Sequence, residues 1–152
     1  MEKEFHNHMR IPWHDYTRKS IGRPITEASL SEKASIIGRT GIMLLSCGTG
    51  AWRVRSSMNT LARELGITCT ADIGLLSIEY TCIDGGNCYT ESLCLFNTGV
   101  NTSKLYRMEE FVNKFAGNCK KMSGDELHTL LDRIHEIHGF YSPPFLGLAA
   151  AV

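Results

Sequence analysis

The sequence predicts an α+β fold in the order helix, helix, antiparallel strands, helix, helix (ααββαα). Three observations carry this. Helix-periodic apolar stripes flank the turn Gly48-Thr49-Gly50. An alternating stretch over 75–83 runs into Asp84-Gly85-Gly86-Asn87, a hairpin signal, and residues 88–96 supply the returning strand. Two further helix starts follow the strands, so helices and strands are segregated and a βαβ nucleotide-binding arrangement is excluded.

Residues 1–28 are polar, irregular and punctuated by Pro12, Gly22 and Pro24. They read as a flexible, solvated tail, and His6, His8 and His14 have no periodic scaffold that would assemble a metal site. Ser29-Leu30-Ser31-Glu32 is a capping box, which starts a helix over 30–47. Its stripe is Ile37, Gly41, Leu44, Leu45 and Gly48; that of the second helix, 51–65, is Val54, Met58, Leu61 and Leu65. A turn this short folds the helices back on each other, stripe to stripe, with the glycines supplying positive φ. Gly66 fits the position just past the second helix.

A short strand at 68–72 leads to 75–83, where Leu76, Ile78, Tyr80 and Cys82 alternate with Ser77, Glu79 and Thr81. Asn101 or Thr102 caps a third helix carrying Leu105, Met108, Val112 and Phe115, closed by Gly117. Ser123-Gly124-Asp125-Glu126 is a second capping box; its helix carries Leu127, Leu130, Leu131, Ile134 and Ile137 and runs to Gly139. Residues 29–139 are thus expected to form one α+β domain.

The chain has 152 residues and formal net charge zero, so no electrostatic case exists for binding nucleic acid or an anionic surface. Six cysteines stand at 47, 69, 82, 88, 94 and 119 without a C-x-x-C pair. They read as free thiols of a reducing compartment, with Cys69, Cys82 and Cys94 buried. Met1-Glu2-Lys3-Glu4-Phe5-His6 lacks the apolar core of a signal peptide, which places this portion on the cytosolic side. After Glu136 there is no Asp, Glu, Lys or Arg, and 145–152 are Phe-Leu-Gly-Leu-Ala-Ala-Ala-Val. Residues 140–152 are read as the start of a transmembrane helix, with Phe140 and Tyr141 as interfacial anchors.

Among candidate site residues Arg53 stands out, because a cation in a helix's first turn opposes the dipole. The structural reading gives it an internal carboxylate, Asp72 or Asp84. The functional reading gives it the carboxylate of a small substrate, which its fork suits. Asp84 and Asn101 read first as turn and cap residues, and Gly48, Gly50, Gly85 and Gly99 as turn glycines. Gly48-x-Gly50 lacks the third glycine of a dinucleotide fingerprint and follows a helix, so it is not a phosphate cradle. Cys47 is a possible nucleophile, and a hydrolase-like alternative would centre on Cys47 or Arg53, but Cys47 belongs to an apolar stretch. His128, His135 and His138 lie without a carboxylate in register and read as a solvated or membrane-facing surface. No catalytic residue, metal ligand or cofactor is assigned. A third alternative is a non-catalytic module that dimerises through its helix faces.

The run Leu44-Leu45-Ser46-Cys47-Gly48-Thr49-Gly50-Ala51-Trp52-Arg53-Val54 resembles the helix-turn-helix signature of the threonine/serine exporter family. That signature is a leucine pair, a glycine, and an Arg-Val pair opening the second helix. The strand ending at Asp84-Gly85, then Gly99-Val100-Asn101-Thr102, then Tyr141 and Pro143 before an apolar run, follow in the same order. The resemblance implies a cytosolic domain of an inner-membrane exporter of threonine, serine or a related small carboxylated metabolite. The implied partners are the transmembrane portion of the same protein and, in split versions linked to succinate export, a second small membrane subunit; homo-oligomers are a further possibility. It also implies the suggested hydrolase-like character of this domain.

Overall fold

The computed structural model describes residues 6–7, 11–96 and 98–137. Its order is β1 (His6–Asn7), α1 (Leu30–Ser46), α2 (Ala51–Glu64), β2 (Thr68–Ile73), β3 (Ser77–Asp84), β4 (Asn87–Cys94), α3 (Thr102–Lys114) and α4 (Gly124–His135). Short 3-10 helices occupy Trp13–Ser20, Ile25–Glu27 and Cys119–Lys121. The α+β arrangement is as expected. Residues 8, 138 and 139, and the apolar run from 140 onward, lie outside the described residues. Among the described residues no helix is long and apolar enough to cross a membrane.

The sheet order is β1-β4-β3-β2, antiparallel except for the two-residue parallel edge β1. One face carries Cys69, Ala71, Ile78, Tyr80, Cys82, Tyr89, Glu91 and Leu93 in register; the other carries Thr70, Asp72, Glu79, Thr81 and Thr90. Because side chains alternate along a strand, only the first face can meet the helices, and α1 and α2 cover it. The strand expected to begin at Leu75 begins at Ser77. Leu75 and Leu76 form the turn instead, where Leu95 N donates to Leu76 O at 2.7 Å. Cys69, Cys82, Cys47 and Cys119 are buried, but Cys94 is only half-buried and Cys88 exposed. Cys94 pairs with Ser77 on the outer face, which explains its departure from the buried assignment.

α1 and α4 start where the capping boxes place them, through the serine half of each box, while the Glu32 carboxylate accepts from Ser20 Oγ instead. Ser29 Oγ accepts from Glu32 N and Ser123 Oγ from Glu126 N, each supplying a helix with one of its missing acceptors. The α1–α2 reversal uses one left-handed glycine rather than two. Gly48 has φ +87°, whereas Gly50 sits at φ −64° as the N-cap of α2. α2 buries one stripe, Val54, Met58, Leu61 and Ala62. In α1 every residue from Glu32 to Leu45 is buried, because α3, α4 and the 3-10 segment cover the side facing away from the sheet. The close approaches need residues without side chains. A Cβ on Gly38 would lie 2.2 Å from the Tyr80 hydroxyl, and one on Gly41 2.5 Å from Met58 Sδ.

Residues 11–28 are not the solvated tail that their composition predicts. Trp13, Thr17, Ser20 and Ile25 are buried, and Ile25 N donates to Met122 O at 2.8 Å. A Cβ on Gly124 would meet Thr17 Cγ2 at 2.5 Å, so this segment packs directly on the start of α4. The segment is held by a few large contacts rather than by periodic ones, which is why helix and strand periodicity did not reveal it.

Gly38→Ala is therefore expected to lower unfolding stability by about 1–3 kcal/mol through overpacking, although alanine favours a helix by about 1 kcal/mol. Gly50→Ala, whose Cβ would meet nothing within 4 Å, replaces only a favourable N-cap residue and should cost no more than about 1 kcal/mol. Urea unfolding of both variants checks this; an unperturbed Gly38→Ala protein would contradict the Tyr80 contact.

Candidate functional site

Two constellations stand out, one foreseen and one not. The foreseen one is the α1–α2 reversal. Arg53 projects from the first turn of α2, but its partner is neither Asp72 nor Asp84. Arg53 Nη1 lies 3.5 Å from Glu109 Oε1 of α3, with both side chains largely exposed. Asp72 is exposed on the outer face of β2 opposite Glu79, and Asp84 is exposed in the hairpin turn opposite Asn87. Both lie on the sheet, whereas Arg53 faces α3. Asn101 caps α3, accepting from Lys104 N at 3.0 Å, and its Nδ2 donates to Ile137 O at 3.2 Å, which fixes the end of α4 beside the start of α3. Gly48 and Gly99 meet: a Cβ on Gly48 would lie 3.1 Å from Gly99 O. Gly85, at φ +60°, turns the β3–β4 hairpin far from these.

Beside the reversal lies a groove of about 290 Å³, lined by Thr49, Trp52, Arg53, Ser56, Ser57, Glu109 and Asn113 among others. A more apolar hollow of about 470 Å³ adjoins it, between the Gly48-Thr49-Gly50-Ala51 turn and Ile73, Gly74 and Leu75. Burial raises the pKa of Cys47, and only weakly do Ser46 and Lys104 oppose this, so the thiol stays protonated near neutral pH.

The second constellation is a charged clasp between the amino-terminal segment, α1 and α4. His14 Nδ1 lies 2.7 Å from Asp125 Oδ1, and its Nε2 2.7 Å from Asp132 Oδ2. Carboxylates only accept, so both ring nitrogens carry protons and the ring is an imidazolium. Burial disfavours that charge, but the hydrogen bonds and charges of Asp132 and Asp125 outweigh it and hold the pKa above 6.5. Asp132 takes its second partner from Arg39 Nη2, and Arg39 Nη1 donates to His128 O at 3.1 Å. Arg39 is 5% exposed and its guanidinium lies 5.8 Å from the Trp13 ring centroid.

His128 is fully buried, not on a solvated or membrane-facing surface. Arg39 Nη1 lies 3.2 Å from its Nδ1, and guanidinium only donates, so the proton sits on Nε2. That N–H donates to Ser35 Oγ at 2.9 Å, which donates in turn to Glu32 O at 2.6 Å. Burial, then the positive charges of Arg39 and His14, push the His128 pKa down to about 3, so this ring is neutral. Trp13 stacks on it with centroids 5.9 Å apart. His135 is half-buried and lines, with Trp13, His14, Arg39 and Asp132, a cavity of about 250 Å³. Nearby, the buried carboxylate of Glu91 accepts from Tyr16 and Tyr89, each at 3.0 Å, and lies 3.3 Å from the Tyr80 hydroxyl.

Chemically the clasp is saturated. His14 spends both N–H groups on carboxylates, and His128 has its lone pair and its N–H engaged. Neither ring offers the free nitrogen that general base catalysis needs. Among the described residues no three His, Cys, Asp or Glu side chains converge as metal ligands. The sequence did hold one signal of the clasp: Arg39 is a cation in the middle of an apolar helical run, and Asp125, His128 and Asp132 recur on one face of α4. Its partners His14 and Trp13 lie in the stretch read as a tail.

Two outcomes follow. A pKa raised in the folded state means that the His14 contribution is fully present below about pH 6.5 and is lost as pH rises through the folded value. Urea unfolding between pH 6 and 9 should show wild type losing stability relative to His14→Gln; parallel curves would contradict the imidazolium. Arg53→Ala, which removes only an exposed pair, should change stability by no more than about 1 kcal/mol. A larger loss in a thermal melt would restore a structural role.

The model for the family described as Putative threonine/serine exporter (ThrE) matches residues 35–152. The match begins within α1 and includes Arg39, Arg53, Asp132 and the apolar run beyond α4, but not Trp13 or His14. No curated protein and no solved structure matches the chain. With well over half of its 152 residues in that match, the chain belongs to the threonine/serine exporter family.

Proposed function

We propose that residues 29–139 are the cytosolic domain of a membrane exporter of threonine, serine or a related small carboxylated metabolite. The domain acts in gating, assembly or regulation of efflux, alongside the transmembrane portion of the transporter. The observation that carries this is the family match, which runs without a break from the folded domain into the uncharged run after Glu136. Two features support a non-chemical role. The Cys47 thiol is kept protonated by burial, and the histidines of the clasp have their nitrogens engaged.

Efflux from cells tests the proposal. Cells lacking this protein and loaded with threonine- and serine-containing dipeptides should retain the amino acids, and re-expression should restore their release. Cys47→Ala should restore release equally well. Release that is unchanged by deletion, or hydrolysis by the purified protein that Cys47→Ala abolishes, would overturn this reading in favour of an enzyme.

A further inference from the structure

Among the described residues the large apolar side chains left exposed are Ile21, Trp52, Leu75, Leu76, Phe96, Val100 and Tyr106. All except Ile21 belong to segments that meet at one end of the domain. Thr98 Oγ1 donates to Leu45 O at 3.1 Å, which ties the β4–α3 connection to the end of α1. Leu95 N, bonded to Leu76 O, ties the exit of β4 to the β2–β3 turn. The apolar hollow joins that turn to the start of α2. Asn101, bonded to Ile137 O, brings the end of α4 to the same place.

From this asymmetry we infer that this end of the domain lies against the lipid bilayer, with Trp52, Leu75, Phe96 and Val100 inserted at the interface. The inference rests on the exporter reading and adds the face and the residues. Chain reversals are ordinarily polar, and here the three at this end present large apolar side chains to solvent: Trp52, in the first turn after the α1–α2 reversal, at 72% exposure, Leu75 of the β2–β3 turn at 91%, and Phe96 of the β4–α3 connection at 73%. The chain itself delivers this end to the membrane. Ile137 is fixed here, and Phe140 and Tyr141, which open the uncharged run, follow within three or four residues. Ile137 is the last described residue, so the chain leaves the domain toward the uncharged run from this face. Charge contributes little. Arg53, Arg55, Lys104 and Arg107 are interspersed with Asp72, Glu79, Glu109 and Glu110, with Arg53 paired to Glu109 and Arg107 to Glu110. The contact is therefore apolar insertion and should not require anionic lipid.

The test uses the 152-residue chain with phosphatidylcholine vesicles carrying brominated acyl chains, reading flotation and tryptophan quenching together. The chain should float and its fluorescence should be quenched, equally with or without added phosphatidylglycerol. Trp52→Phe, which leaves only the buried Trp13, should abolish the quenching. Leu75→Asp with Phe96→Asp should leave flotation but reduce Trp52 quenching by at least about half. A chain that floats with Trp52 unquenched overturns the assigned face and leaves the exporter reading standing. A chain that does not float at all overturns the inference, while the exporter reading is decided by the efflux experiment. Trp52 shielded without vesicles, together with a doubled mass in solution, would make a second copy the occupant and also overturn the inference.

Discussion

From Glu32 to Leu45 the first helix has no exposed residue, so its charged side chains must find their partners inside the protein, although the buried Thr40 hydroxyl is left without one. That constraint explains most of what surrounds it. Arg39 would be prohibitively costly at 5% exposure without counter-charge, and Asp132 and the His128 carbonyl supply it. Asp132 in turn recruits His14, and His14 brings Trp13 over the guanidinium and the His128 ring. Ser35 closes the chain by handing the His128 N–H on to the backbone of its own helix. The amino-terminal segment is thus the cover that lets a charged residue sit in the middle of the domain.

The two sides of this helix solve different problems. Toward the sheet the need is closeness, met by Gly38 under the Tyr80 ring and Gly41 against Met58. Toward α4 the need is charge compensation, met by the clasp. Its C-terminal end solves neither. There the helix opens into the Gly48 reversal, around which apolar side chains remain in contact with water. Among the described residues, charge is neutralised at one place and six large apolar side chains stay exposed at another, and that contrast is what the proposed membrane contact rests on.

The elements were legible in the sequence wherever a local rule suffices. Ser29 and Ser123 announced the helix starts, Asn101 announced a third, and the Asp84-Gly85-Gly86-Asn87 turn fixed a register that the strands follow without a slip. The Arg53 partner was not legible, because a first-turn cation states a need without saying which element satisfies it. Glu109 comes from a helix about fifty residues away, whose packing angle no local pattern encodes. The clasp was hidden for a related reason. His14 acquires its meaning only when Asp125 and Asp132 stand on one face of α4, and a short 3-10 helix offers neither the 3.6-residue nor the two-residue period.

The most direct test of α1 as the fully enclosed centre of the fold, with Trp13–Ser20 as part of it, is native-state hydrogen exchange of the whole chain in low urea. Amides in the middle of α1 should exchange only through global unfolding, with the full denaturant dependence, and those of Trp13–Ser20 should be protected with α4. Exchange of α1 through a local, denaturant-independent opening, or a Trp13–Ser20 segment exchanging as fast as an unstructured peptide, would contradict the account.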